Sequence, residues 1–225
     1  MRINKLLALA TDLSRRAADT AVANGRVQIN GQPAAVGSTV ADGDQITLDG
    51  QLIQALPETQ TIMLNKPAGY VCSRQGQGSK TIYDLLPVKL HHLKPVGRLD
   101  KDSSGLLLLT NDGELAHQLT HPSFQKEKIY EVTLDMELMP RDFEHITKRG
   151  VQLDDGPSKL GLDYINDDNF KWKVTMHEGR NRQIRRTFEK LGYTVIDLHR
   201  TQFGEYKLGG LSSGTVMSVR PRLHP

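Results

Sequence analysis

The chain has 225 residues, 37% of them hydrophobic and 24% charged, with a net charge of +3 at pH 7 and one cysteine, Cys72. Such totals exclude a disordered or collagen-like chain and leave room for one large domain, or a small one beside a medium one. A lone cysteine excludes an intrachain disulfide framework and a cysteine zinc cluster, and it fits a reducing cytoplasm. Without a signal-peptide core or an apolar run near ~18 residues, neither secretion nor a membrane span is expected.

In chain order, Leu6, Leu7, Leu9 and Ala10 predict a short amphipathic helix. Ser14 is placed to cap a second helix, RRAADTAVAN, whose apolar stripe is Ala17, Ala18, Ala21 and Val22. Asn24-Gly25 is the expected stop, since both residues tolerate left-handed backbone. VQINGQPA alternates through Val27 and Ile29 into the hairpin signal Asn30-Gly31, and GDQITLDG repeats the alternation at Ile46 and Leu48. Residues 1–26 set Arg2, Lys5, Arg15, Arg16 and Arg26 against Asp12 and Asp19. Charge alone fits a solvated helix face as well as an anion-binding one, although helix starts favour phosphate. RINKLLALATDLSRRAADTAVANGRVQINGQPA, followed by VADGDQI, resembles the S-four-like RNA-binding domain across nearly all of 1–48. It departs at Ile3-Asn4, where that family often has Leu-Asp. The resemblance implies a small α/β domain, 1–50, that grips structured RNA by shape and phosphate through those five basic residues.

Residues 51–60 lose periodicity, include Pro57 and read as a linker to a second domain, 61–225. IMLNKPAGYVCS predicts a strand entering a turn at Lys66-Pro67-Ala68-Gly69, and RQGQGSK (74–80) a surface loop. Thr81 caps a brief helix, IYDLLP. ELAHQLTHP reads as a helix stopped at Pro122, KIYEVTL as a strand and PRDFEHITKRG as a helix. LDYINDDNFKWKVTM reads as a hairpin turning at 166–169.

Three constellations stand out. His117 and His121 have the spacing of a metal pair on one helix face, but no third ligand accompanies them. They read as structural or surface residues, as do His91, His92 and Cys72. EGRNRQIRRTFEKLGY keeps Ile184, Phe188 and Leu191 for a core and turns Arg182, Arg185, Arg186 and Lys190 outward. Across 171–207 nine Lys or Arg face four acids, a balance suited to a polyanion or to an ordinary solvated helix. In PVGRLDKDSSGLLLLTNDG (95–113), a strand ending at Leu99 would deliver Asp100 to a loop, and the four leucines would return through the core. On spacing alone, Asp100 and Asp102 read as well as turn caps or partners of Arg98 and Lys101 as they do as catalytic carboxylates.

GRLDKDSSGLLLLTNDGELAHQLTHP is similar to the signature of the pseudouridine synthases that modify single uridines in ribosomal RNA. LNKPAGYVCS, KIYEVTL and EGRNRQIRRTFEKLGYTVIDLHR follow the same family in the same order. The resemblance implies an α+β catalytic domain with a mixed, largely antiparallel sheet flanked by helices. It implies Asp100 as the catalytic aspartate, Tyr130 packed on the target base and Arg185 paired with the aspartate. Arg98, Leu99 and Leu198 would line the substrate pocket, with Lys66, Arg180, Arg182, Arg186 and Arg200 as further RNA contacts. Ser103-Ser104 stands where threonine is common. The implied reaction is an isomerisation of an extruded uridine that needs no cofactor and no metal. The implied setting is bacterial and cytoplasmic: a monomer acting on ribosomal RNA or a ribosome-assembly intermediate, away from membranes. EGRNRQIRR and a plain C-terminus lean toward the large subunit. Small-subunit RNA, transfer RNA and a non-catalytic RNA-binding or assembly role are the alternatives. The uridine itself, the choice between a covalent adduct and a glycal route, and the role of Asp102 stay open.

Overall fold

The computed structural model describes residues 1–53, 58–165 and 169–220. The chain divides into two compact units, Met1–Thr59 and Gln60–Pro225. In the smaller unit, helices α1 (Ile3–Ala10) and α2 (Arg15–Ala23) pack on a short sheet. Ser14 starts α2 as its residue type dictates, its Oγ accepting the Ala17 N–H at 3.1 Å. Ile3, Leu7, Ala18, Ala21 and Val22 close a small core with Val27, Val40 and Ile46. Strands β1 (Val27–Ile29), β2 (Gln32–Pro33), β3 (Ile46–Leu48) and β4 (Gln51–Leu52) lie in the order β2-β1-β3-β4.

Asn30 and Gly31, at φ 52° and 78°, turn β1 into β2. Asp49 and Gly50, at φ 54° and 77°, repeat that device between β3 and β4. The expected linker therefore starts too early: Gln51 and Leu52 are strand partners of Leu48 and Thr47. Pro57 lies outside the described residues.

The larger unit is built on a mixed sheet. Its first strands are β5 (Thr61–Lys66), β6 (Lys94–Pro95) and β7 (Ser104–Thr110), followed by helix α3 (Gly113–Thr120) and β8 (Lys128–Leu134). Helix α4 (Pro140–Glu144) precedes the hairpin β9 (Val151–Leu153) and β10 (Gly156–Ser158), then β11 (Gly161–Tyr164) and β12 (Lys171–Met176). Helix α5 (Gln183–Glu189), β13 (Val195–Phe203), β14 (Tyr206–Lys207) and β15 (Val216–Ser218) complete it. The strand order is β11-β12-β8-β13-β7-β5-β15, with β14 on β13 and β6 on β7. The β7–β13 pair is parallel and the other pairs are antiparallel.

The leucine run is the middle of this sheet, and its lack of alternation follows from burial on both faces. Leu106 and Leu108 join Met63, Leu115 and Leu119 beneath α3. Leu107 and Leu109 join Ile62, Leu64, Trp172, Ile184 and Phe188 on the other side, which α5 covers. Where β7 meets β13, Gly105 sits at φ 102°, and an added Cβ would strike the Arg200 backbone. Only glycine fits that approach.

Local outcomes differ from expectation in three places. No strand runs to Leu99: β6 ends at Pro95, which lacks a ladder donor, and Gly97 at φ 72° bends the chain away. PRDFEHITKRG is helical as expected, but α-helical only through α4: it widens to a π-helix over His145–Arg149 that Gly150 ends at φ 81°. IYDLLP is a 3-10 turn, Ile82–Leu85, capped where the Thr81 N–H donates to Asp84 Oδ2 at 2.7 Å. The hairpin tip at 166–168 lies outside the described residues, and β11 and β12 pair on either side of it.

Candidate active site

The segment following β5 holds the loop that carries Asp100. Lys66 Nζ, fully buried, donates to the carbonyls of Pro67 (3.1 Å), Asp100 (3.0 Å) and Ser103 (2.6 Å). Gly69 N–H donates to Lys101 O at 2.6 Å. Cys72 Sγ donates to Leu99 O at 3.3 Å and accepts from Leu99 N at 3.4 Å. Burial pushes the Lys66 ammonium below its ordinary pKa, against the pull of nearby Asp100 and Asp102, and pushes the Cys72 thiol up. With Leu99 anchored in the core, Asp100 is presented with its side chain about a third exposed (35%).

Asp100 opens into a cleft of about 830 Å³ whose walls include Arg98, Leu99, Tyr130, Ile184, Leu198 and Arg200. All of these come from the larger unit. Tyr130, on β8, lies opposite Arg200 of β13 and Val174 of β12, so its backbone is fixed between two strands. Arg200 is 2% exposed. Its Nε donates to Leu106 O at 2.7 Å, and its guanidinium carbon lies 4.9 Å from the Phe203 ring centre and 6.0 Å from that of Tyr130. Its Nη2 is buried without a hydrogen-bond partner.

Two arginines of the α5 region meet the loop, in an arrangement that differs from the expected one. Arg185 does not pair with Asp100. Its Nε lies 3.3 Å from Asp102 Oδ2, its Nη2 donates to Asp102 O at 2.9 Å and its Nη1 to Val195 O at 2.7 Å. The ion pair of Asp100 is with Arg182, at 3.7 Å from Nη1 to Oδ2. Arg182 also gives Asp102 a bidentate pair at 2.9 and 3.0 Å. That bond, chiefly, holds the Asp102 carboxyl below its ordinary pKa and raises Arg182, with Arg185 adding to the effect on Asp102.

Several expected RNA contacts are engaged inside the protein. Lys66 is sealed beneath the loop, and Arg200 is a wall of the cleft rather than a surface cation. Arg180 bonds to Asp155 Oδ1 and to the carbonyls of Asp155, Gly156 and Pro157, while Arg186 grips Asp155 at 3.1 and 2.7 Å. Together they tie the start of α5 to the β9–β10 turn. In the smaller unit Arg26 is bound to Asp49 at 2.8 and 2.6 Å, whereas Arg2, Arg15 and Arg16 stand exposed and Lys5 is half-buried. Arg98 is exposed at the cleft, and Leu198 is buried in its wall. His117 and His121 have ring centres 4.8 Å apart beside Phe124, and His121 Nδ1 meets Ser123 Oγ at 2.7 Å.

Sequence reasoning missed Cys72 as a fastener of Leu99, Arg200 as a cleft wall and Asp155 as the acceptor for two arginines. Only Arg200 carried a usable signal: it alternates with Leu198 on β13, and both line the cleft.

Comparison with known proteins agrees with this architecture. Residues 60–190 match the family described as RNA pseudouridylate synthase, and residues 1–46 match the S4 domain. The chain is 36% identical to the ribosomal large subunit pseudouridine synthase B of Bacillus subtilis (strain 168), across 98% of this chain and 92% of that protein. It is 40% identical to the protein of the same name from Xylella fastidiosa (strain 9a5c), across 92% of this chain and 46% of that protein. A crystal structure described as a pseudouridylate synthase superposes with a TM-score of 0.70 at 32% identity, covering 98% of this chain and 96% of that one. The chain belongs to the RNA pseudouridylate synthase family and is a pseudouridine synthase with an S4 domain in its smaller unit.

Proposed function

We propose that this enzyme isomerises a uridine of large-subunit ribosomal RNA, with Asp100 as the reacting carboxylate. The observation that carries the reading is the presentation of Asp100. It is fixed by its backbone, through Lys66 and the anchored Leu99, while its side chain opens into a cleft walled by Tyr130, Leu198 and Arg200. A side chain held from behind and open in front is preorganised for attack.

In the reaction the bond from ribose C1′ to uracil N1 breaks and a bond from C1′ to C5 forms. N1 ends with a proton, and C5 gives one up, so atoms and charge balance with no redox partner. The base has to leave its stack to reach Asp100, and the cleft has room for an extruded nucleotide. Asp100 attacks the ribose or removes a proton from it. Tyr130, which lines the same cleft, offers the uracil a flat face, and its hydroxyl serves proton movement at C5. Arg182 supplies the positive charge nearest the carboxylate, the role the family resemblance gave to Arg185.

The large subunit is favoured by the names of the relatives from Bacillus subtilis and Xylella fastidiosa, and the S4 domain supplies an RNA-binding module in the smaller unit. Purified enzyme incubated with unmodified large-subunit and small-subunit ribosomal RNA transcripts, followed by pseudouridine mapping, tests the reading. Conversion confined to large-subunit RNA is expected. Conversion confined to small-subunit RNA overturns the substrate, and no conversion of either RNA overturns the reading.

A further inference from the structure

Asp102 lies two residues beyond Asp100 and gathers more charge than Asp100 does. Its carboxylate accepts both Nη donors of Arg182, at 2.9 and 3.0 Å, and faces Arg185 Nε at 3.3 Å. Its carbonyl accepts Arg185 Nη2 at 2.9 Å, and Arg185 Nη1 is fastened to Val195 O on β13. The loop is thereby pinned to the sheet as well as to α5. Among the described residues, Asp100 has one looser ionic contact, Arg182 at 3.7 Å.

The geometry of a guanidinium makes this division matter. Its two parallel N–H groups match the two oxygens of a carboxylate, and a carboxylate gripped that way has both oxygens occupied. Arg182 is within reach of doing this to Asp100. Its backbone is set at φ 46°, at the N-cap of α5, a region that residues other than glycine seldom occupy. The root of the side chain is therefore held by the fold, and only its torsions decide which aspartate it grips.

Resting on the assignment of Asp100 as the reacting group, we propose that Asp102 is a positioning residue that acts as a decoy acceptor. It holds the fork of Arg182 off Asp100 and so leaves the Asp100 oxygens free to meet the ribose, with the positive charge still beside them. Asp102 itself touches no reacting atom. Its side chain is about half exposed (48%), so its replacement leaves the hydrophobic core intact.

The test is a kinetic series on large-subunit ribosomal RNA transcripts, with melting temperatures as a folding control. In Asp102→Ala the freed fork closes on Asp100, and kcat falls roughly 10- to 100-fold while KM moves less than about threefold. Asp102→Asn, which keeps one acceptor oxygen, retains a kcat between the two. The decisive arm is suppression: Arg182→Ala alone loses less kcat than Asp102→Ala, and added to Asp102→Ala it removes the fork and raises kcat back to its own level. A purely structural Asp102 gives a double variant no better than Asp102→Ala. Wild-type kcat in Asp102→Ala, or a double variant at or below it, overturns the decoy role. Asp100→Asn is run alongside: full turnover there removes the underlying assignment, whatever the Asp102 series gives.

Discussion

Lys66 shows how far a single residue's meaning depends on where the fold puts it. In the sequence it is one cation among many, and it was grouped with the RNA contacts. In the structure it is sealed from solvent and donates to three carbonyls of the turn and of the Asp100 loop. Lys66→Met keeps the bulk and removes the donors, so the variant is expected to lose about 2–4 kcal/mol in urea denaturation. Unchanged stability would show that water replaces Lys66 without cost. Asp102 yields a pH signature. Its folded-state pKa is depressed, chiefly by Arg182, so its contribution is present above the ordinary value of 3.8 and is lost as pH falls through the folded value. The stability gap between wild type and Asp102→Ala should therefore narrow on going from neutral to strongly acid solution. A gap that stays constant or widens contradicts the pairing. Motif order pointed to Asp100 and Tyr130, and one cleft receives both. The partner of Asp100 was not legible. Arg182 and Arg185 are three residues apart, so both reach the same loop, and only coordinates distinguish which carboxylate each takes.

At the scale of elements, the readable features were those with a local physical cause. Ser14 caps α2, Asn30-Gly31 turns β1 into β2, and the leucine run is the strand buried on both faces. The unread ones were too short to show a period: β4 has two residues, and β9 and β10 have three each. The supposed strand before Asp100 failed for the opposite reason. Its residues look extended, yet Pro95 and Gly97 interrupt the ladder and leave an irregular run that Lys66, Gly69 and Cys72 have to hold. The crossing of β7 and β13 makes its own prediction. Gly105→Ala places a methyl against the Arg200 backbone at φ 102°, and a loss of at least about 3 kcal/mol, or failure to fold, is expected. A variant as stable as wild type would mean that the parallel contact has slack enough to admit the methyl.

Across the whole molecule, the two units carry different features. The larger one holds the cleft, and the smaller one carries Arg2, Arg15 and Arg16 exposed to solvent. If those cations meet phosphate, Arg15→Glu with Arg16→Glu should weaken RNA binding and lower the salt-dependence slope by about 1–2, at unchanged single-turnover rate in saturating RNA. A salt slope equal to wild type would remove these residues from the interface. Arg26, held by Asp49, is expected to matter less than either. The central claim concerns Asp100, and single-turnover conversion by Asp100→Asn tests it most directly. With large-subunit ribosomal RNA transcripts in excess of the dissociation constant, the variant should bind RNA and melt like wild type yet form no pseudouridine. Pseudouridine appearing at a measurable rate in that variant would contradict the assignment.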